Sequence, residues 1–256
     1  LRTALQLCGA FSFSCYTQKR SQKHKFTTKR GSMASFVHPS GINQESVDKV
    51  TGRRGRLHAF ETLDPITTAL VVIDLDMGTV KTGTAGTPQM ASRVNALAAT
   101  LRQHGGTVAW VTTPIHRASS TFRAVFGDAA TASYEDQARS GQSEAIWTAL
   151  KTQEQDVYAS KQGHSAFFPG KTDLHEQLQA RNIRSLIIVG TVTNVCCESS
   201  ARDAYELGYE VTLVSDALNG QSDWQHQATL ATFYRCFGDV RPTANVIELI
   251  TNGAHQ

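Results

Sequence analysis

At 256 residues the chain has room for one large domain, or one domain with a tail, and its 40% apolar content suits a soluble globular protein. No apolar run approaches the roughly 20 residues that a membrane-spanning helix needs. The net charge of +3 hides an asymmetry: residues 1–60 carry 11 Lys/Arg against only Glu45 and Asp48, so residues 61–256 are net acidic. The basic balance therefore gives no argument for a nucleic-acid partner.

Residues 1–32 contain no acidic side chain and are rich in Ser, Thr, Lys and Arg. They read as a basic leader: a mitochondrial-type targeting segment, a weak secretory signal, or a non-native extension. Gly31-Ser32-Met33 resembles a junction before a natural start and favours the last. Residues 33–60 form a polar N-terminal arm, expected to lie over the domain or to reach a neighbouring subunit. The domain itself is assigned to residues 61–256. Cys196, Cys197 and Cys236 show no paired spacing that would suggest a disulfide framework, so a reducing compartment is expected. That compartment is the cytoplasm, or the mitochondrion if residues 1–32 are a genuine leader. No Cys-x-x-Cys or other zinc spacing occurs, and neither metal nor cofactor is expected.

The first clear strand is Ala69 to Asp74, a continuous apolar run closed by a carboxylate, as in a parallel strand covered on both faces. A Gly/Thr-rich loop over 76–88 precedes a helix predicted from Gln89 to His104, with Val94, Leu97, Ala98 and Leu101 on one face and Gly105-Gly106 as its stop. Thr107 to Thr112 is the second strand. Residues 114–134 read as an irregular loop of the kind that forms lids or subunit contacts, and Ser143 to Lys151 as a short helix. Asp156 to Lys161 is the third strand. A loop with Phe167 and Phe168 follows, then a helix capped by Thr172. Leu186 to Val189 is a buried strand ended by Gly190, and a helix is expected to begin near Cys196. A further strand falls at Glu210 to Ser215, a helix ends near Phe237, and Val246 to Ile250 forms the last apolar element. Strands alternating with helices, without hairpin signals, predict a doubly wound parallel sheet with helices on both faces, an α/β/α sandwich of three layers. Nucleotide-binding fingerprints are absent: no G-x-G-x-x-G follows the first strand and no G-x-x-x-x-G-K-[ST] occurs.

Asp74, Lys161 and Cys196 each follow an apolar strand, which places them at one sheet edge. Together they contain what nucleophilic catalysis needs. A carboxylate takes the thiol proton, a cation favours the ion pair, and turn amides before Cys196 are placed to hold an oxyanion. A helix N-terminus beside Cys196 is expected to lower its pKa. These residues also carry a resemblance. Val72-Ile73-Asp74, Ser160-Lys161 with Ser165-Ala166-Phe167-Phe168, and Gly190 to Ser199 resemble the isochorismatase-like cysteine hydrolases across about residues 53–250. Arg202-Asp203-Ala204 and Val214-Ser215-Asp216-Ala217 continue the match.

The resemblance implies that Asp74 is the base, Lys161 the lysine of a catalytic triad and Cys196 the nucleophile. It further implies a cis peptide between Thr191 and Val192 that aims the amides of Val192 and Cys196 at the oxyanion. The implied activity is amidohydrolase cleavage of a C–N bond in a small amide or ureide through a thioester. True isochorismatases cleave a vinyl ether and lack the cysteine. A homo-oligomer, dimer or tetramer, is likewise implied, with no nucleic acid and no membrane as partner. Phe167, Phe168 and Asn194 are candidates for substrate binding, and Gln221, Trp224 and His226 weaker ones. The chain departs from the pattern at Asp76, a second carboxylate expected to repel anionic substrates or to raise the pKa of Asp74. Pro114-Ile115-His116 lacks the metal-binding pattern of nicotinamidases. Two other readings stand beside the amidohydrolase: an isochorismatase-type hydrolase of another small substrate, and a non-catalytic, redox-sensing thiol protein.

Overall fold

The computed structural model describes residues 41–83, 86–114, 118–140 and 144–253. The leader and His116 lie outside the described residues. The remainder builds on six parallel strands: β1 (Thr68–Ile73), β2 (Thr107–Thr112), β3 (Val157–Ser160), β4 (Ser185–Thr191), β5 (Glu210–Asn219) and β6 (Asp239–Arg241), in the order β3-β2-β1-β4-β5-β6. Every residue of β1 and β4 is buried, as their uninterrupted apolar runs require.

Alternation along the strands sorts the core into two layers. Val71, Ile73, Leu186 and Ile188 face one side, where they pack with Leu174 and Leu178 of α5 (Leu174–Gln179), Ala201 and Ala204 of α6 (Glu198–Glu206), and Leu230 and Phe233 of α7 (Asp223–Cys236). Leu70, Val72, Ile187 and Val189 face the other side, against α3 (Pro88–Gln103) and α8 (Thr243–Gly253). The doubly wound three-layer sheet is therefore the fold. The chain runs outward from β1 to β3 and then returns to lay β4 beside β1, so the order reverses between β1 and β4. Open α/β sheets place ligands in the crevice at that switch point, beyond the carboxyl ends of the strands.

The arm carries α1 (Gln44–Arg54), capped by Asn43, whose side chain accepts from the Ser46 amide at 2.9 Å. It lies over the domain. Arg53 donates to the Arg235 carbonyl at 2.6 Å, and the Arg54 guanidinium sits 4.8 Å from the centre of the Tyr234 ring. Beyond α1, the Tyr234 hydroxyl donates to the Leu57 carbonyl, Arg241 donates to the Phe60 carbonyl, and His58 meets Asp239 at 3.2 Å.

Two expectations fail. Residues 114–134 are not one irregular loop: Ser120–Arg139 is a helix, α4, kinked at Gly127 where φ is 80°. Most of its side chains are exposed, so no buried stripe marks it in the sequence. Conversely, residues 144–151 do not form a helix. They clamp the segment after β1: the Met77 amide donates to the Ala145 carbonyl at 2.8 Å and the Trp147 amide to the Leu75 carbonyl at 2.9 Å. The last apolar element, Val246 to Ile250, lies within the helix α8.

Candidate active site

Four neighbouring strand ends converge in the crevice. Asp74 follows β1, Thr113 follows β2, Lys161 follows β3 and the Cys196 turn follows β4. Asp74 takes a left-handed backbone, φ 53°, a conformation that Asp tolerates better than most residues. Its amide continues the sheet by donating to the Val111 carbonyl at 2.9 Å. The Lys161 amide does the same toward the Thr112 carbonyl at 3.0 Å. Both side chains are thus launched from backbone held in the sheet.

Lys161 reaches across the end of β2. Its Nζ lies 2.9 Å from Asp74 Oδ2 and 3.5 Å from Cys196 Sγ, and it donates to the Gly163 carbonyl at 2.9 Å. Asp74 Oδ1 accepts from the Thr113 hydroxyl at 2.8 Å. Asp74 is 6% and Lys161 1% exposed, so this ion pair is worth having only because each partner satisfies the other. Burial works against the Lys161 cation, but Asp74 and Cys196 outweigh it and hold the ammonium above its ordinary pKa.

Cys196 sits in a π turn, Thr193–Cys197, just before α6. The peptide between Thr191 and Val192 is cis. Gly190 makes the approach possible: a Cβ there would lie 2.1 Å from the Ile73 carbonyl oxygen of β1. His226 of α7 is fully buried, and its Nδ1 lies 3.0 Å from Thr193 Oγ1, so it braces the turn from behind. The expected low-pKa thiolate is not what the structure holds. Burial pushes the Cys196 thiol up to about 12, and the Asp74 charge adds to that against the opposing pull of Lys161. Desolvation of a thiolate outweighs a helix-dipole effect of about 1 kcal/mol. On that balance Cys196 rests as a thiol beside the Asp74 carboxylate.

The remaining candidates separate. Phe167 is 1% exposed and packs 5.7 Å, ring to ring, from Tyr209, so it belongs to the core and not to a pocket wall. Phe168 is exposed. Asn194 lies in the π turn with its Oδ1 buried and, among the described residues, lacking a hydrogen-bond partner. Trp224 is exposed. Thr113 and His164 were not distinguished by sequence pattern, since each is a polar loop residue. His164 Nδ1 lies 3.9 Å from Cys196 Sγ, on the exposed side of the thiol.

Asp76 is the N-cap of α2 (Met77–Thr82), with its carboxylate accepting from the Thr79 amide at 2.7 Å. It is 3% exposed, and burial raises its pKa from 3.8 to about 6, with the Asp74 charge contributing. Protonation is favoured by folding, so stability is full below about pH 4 and falls as pH rises through about 6. Asp76→Asn keeps an equally good cap and removes the charge. Denaturant titrations at pH 4 and pH 7 should show the variant more stable at pH 7, by about 2 kcal/mol, with the advantage gone at pH 4.

Among the described residues, no group of three His, Cys, Asp or Glu side chains converges to hold a metal ion. No helix among them is long and apolar enough to cross a membrane. Cys196, Cys197 and Cys236 are free thiols.

With this geometry in hand, comparison with known proteins gives a consistent answer. Residues 68–245 match the isochorismatase domain family. The isochorismatase family protein YwoC of Bacillus subtilis is 32% identical over 187 residues, covering 72% of this chain and 94% of that protein. The ureidoacrylate amidohydrolase RutB of Agrobacterium fabrum is 37% identical over 111 residues, 43% of this chain and 48% of its own length. Among solved structures, a cysteine hydrolase from Pseudomonas syringae superposes with a TM-score of 0.67 at 27% identity, covering 77% of this chain and 98% of that one.

Proposed function

Because this chain belongs to the isochorismatase family of hydrolases, we propose that it is a cysteine amidohydrolase that cleaves a C–N bond of a small amide or ureide through a covalent thioester. The observation that carries the reading is the convergence of Lys161 Nζ on Asp74 Oδ2 at 2.9 Å and on Cys196 Sγ at 3.5 Å. The similarity to a ureidoacrylate amidohydrolase supports C–N chemistry.

A neutral thiol must lose its proton as it attacks. As the S–C bond forms, Asp74 takes the proton and the carbonyl π pair moves to oxygen, where the amides of Val192 and Cys196 receive it. Lys161 holds the charge on Asp74 in place before the transfer and faces the sulfur during it. Collapse of the tetrahedral species breaks the C–N bond, and Asp74 returns the proton to the departing nitrogen. Water then gives a proton to Asp74 as it attacks the thioester. The C–S bond breaks and the proton goes back to sulfur. Thr113 orients the carboxylate throughout. Asn194, with its buried unpartnered Oδ1, accepts from an N–H of the substrate.

A redox sensor has no use for the paired Asp74 and Lys161, and the adjacent Cys197 is completely buried, out of reach as a resolving thiol. Ammonia release by the full chain from biuret, ureidoacrylate, N-carbamoylsarcosine and nicotinamide tests the proposal. One compound is expected to turn over and, at saturating concentration, to slow alkylation of Cys196 by iodoacetamide at least tenfold. A folded protein that releases no ammonia and whose Cys196 none of the compounds protects would defeat the reading.

A further inference from the structure

His164 is the exposed side chain standing over the nucleophile. Its neighbours fix it from both sides. The carbonyl of Gly163 accepts from Lys161 Nζ at 2.9 Å, so the backbone just before His164 is tied to the ion pair. After it, the Phe167 amide donates to Ser165 Oγ at 3.0 Å and the Ala166 amide to Ser200 Oγ of α6 at 2.8 Å. Ser200 in turn donates to the Cys196 carbonyl at 2.6 Å. The loop that presents the imidazole is therefore bonded to the same residues that present the thiol.

Nδ1 lies 3.9 Å from Sγ, and among the described residues the thiol is the ring's hydrogen-bonding neighbour. A carbon bonded to Sγ sits within contact of the ring, and a group on that carbon lies within hydrogen-bond reach. The opposite side of the thiol is closed by the buried Asp74 and Lys161, which neutralise one another. The Asp76 carboxylate is turned into its helix cap. An oxygen acceptor entering from the open side therefore meets an imidazole donor and not a bare carboxylate.

We propose that His164 is a specificity-determining residue, whose imidazole donates to a carboxylate oxygen that the substrate carries beside the carbon attacked by Cys196. This deepens the amidohydrolase reading and rests on it: preferred substrates are amides or ureides with such an oxygen next to the scissile carbonyl, and amides of plain hydrocarbon acids are poor ones.

Alkylation tests the contact without relying on hydrolysis. Iodoacetate and iodoacetamide are attacked at the same carbon and differ in the group beside it, a carboxylate against an amide. Rates at Cys196 are followed at peptide level by mass spectrometry, so that exposed Cys236 does not interfere. The full chain is compared with His164→Phe, which keeps a flat ring without a donor, and His164→Asn, which restores an N–H. The rate ratio of iodoacetate to iodoacetamide is expected to fall about tenfold in His164→Phe, the loss of roughly one hydrogen bond to a charged group, and to recover substantially in His164→Asn. A ratio unchanged in His164→Phe overturns the assignment. So does an equal drop in both rates, which would mean that the residue only sets thiol reactivity or access. Absence of ammonia release from any compound, with the ratio behaving as expected, would count against the hydrolytic reaction and leave the contact standing.

Discussion

Cys196→Ser is expected to lower ammonia release by at least about 10⁴-fold while leaving thermal stability nearly unchanged. A serine hydroxyl is harder to deprotonate than even this raised thiol, and in the proposed mechanism the carboxylate held by Lys161 and Thr113 is the base that must take its proton. Because Cys196 is only partly buried, exchange of one atom costs the fold little. The neighbouring thiol gives the control. Cys197 packs in the core against the sheet and is completely buried. Cys197→Ser should cost about 1–2 kcal/mol of stability by placing a hydroxyl there, yet keep turnover within a few-fold of wild type. Kinetics paired with thermal melts of the two variants check this. Equal loss of activity in both would mean that the turn, not the particular sulfur, is what the reaction needs.

The second large effect concerns the ion pair. Lys161→Met leaves the Asp74 carboxylate buried, with the Thr113 hydroxyl and the Cys196 thiol but no cation beside it. Removal of one member of a buried pair typically costs about 3–5 kcal/mol, and turnover should vanish with it. Asp74→Asn strands the Lys161 ammonium in the same way, although its bond to the Gly163 carbonyl softens the loss. In the double variant Asp74→Asn/Lys161→Met neither charge remains, and asparagine tolerates the left-handed backbone at this position. The double variant should therefore regain most of the lost stability and none of the activity. Urea denaturation of the four proteins gives the coupling energy directly. If the double variant is as unstable as the sum of the single ones, the pair is not coupled as the 2.9 Å separation implies.

The sheet was legible in the sequence because β1 and β4 are covered on both faces, and burial on both faces writes itself as an apolar run. The same runs end at Asp74 and at Gly190, which located the crevice. Lys161 required more. The strand before it is half exposed, with Tyr158 and Ser160 turned outward, so only its place after Ser160 and the resemblance singled it out. Helix α4 escaped notice because a helix exposed around most of its surface leaves no periodic stripe. Residues 145–147 are used in a clamp on the Leu75–Met77 segment, with Ile146 bridged to Asp76, a tertiary demand that local pattern does not record. Thr113 and His164 are single polar loop residues whose significance is purely spatial. The upward shift of the Cys196 thiol is hidden from the sequence for a similar reason. Sequence shows a turn entering a helix, but the depth at which the turn is buried decides which term wins.

The arm's attachment to β6 has a consequence for where the folding unit begins. β6 is three residues long and ends the sheet, so one of its edges is unpaired within the sheet. An end strand of this kind is a template for pairing with another chain unless something covers it. Here His58, the Phe60 carbonyl and the Leu57 carbonyl are sewn to Asp239, Arg241 and Tyr234. The isochorismatase domain match starts at residue 68, but a protein trimmed to that boundary would bare this edge and leave the buried Asp239–Arg241 pair without the segment that closes over it. The stretch ahead of the first strand thus belongs to the folded unit, and a fragment that keeps these contacts together with the cap of α1 has to start before Gln44.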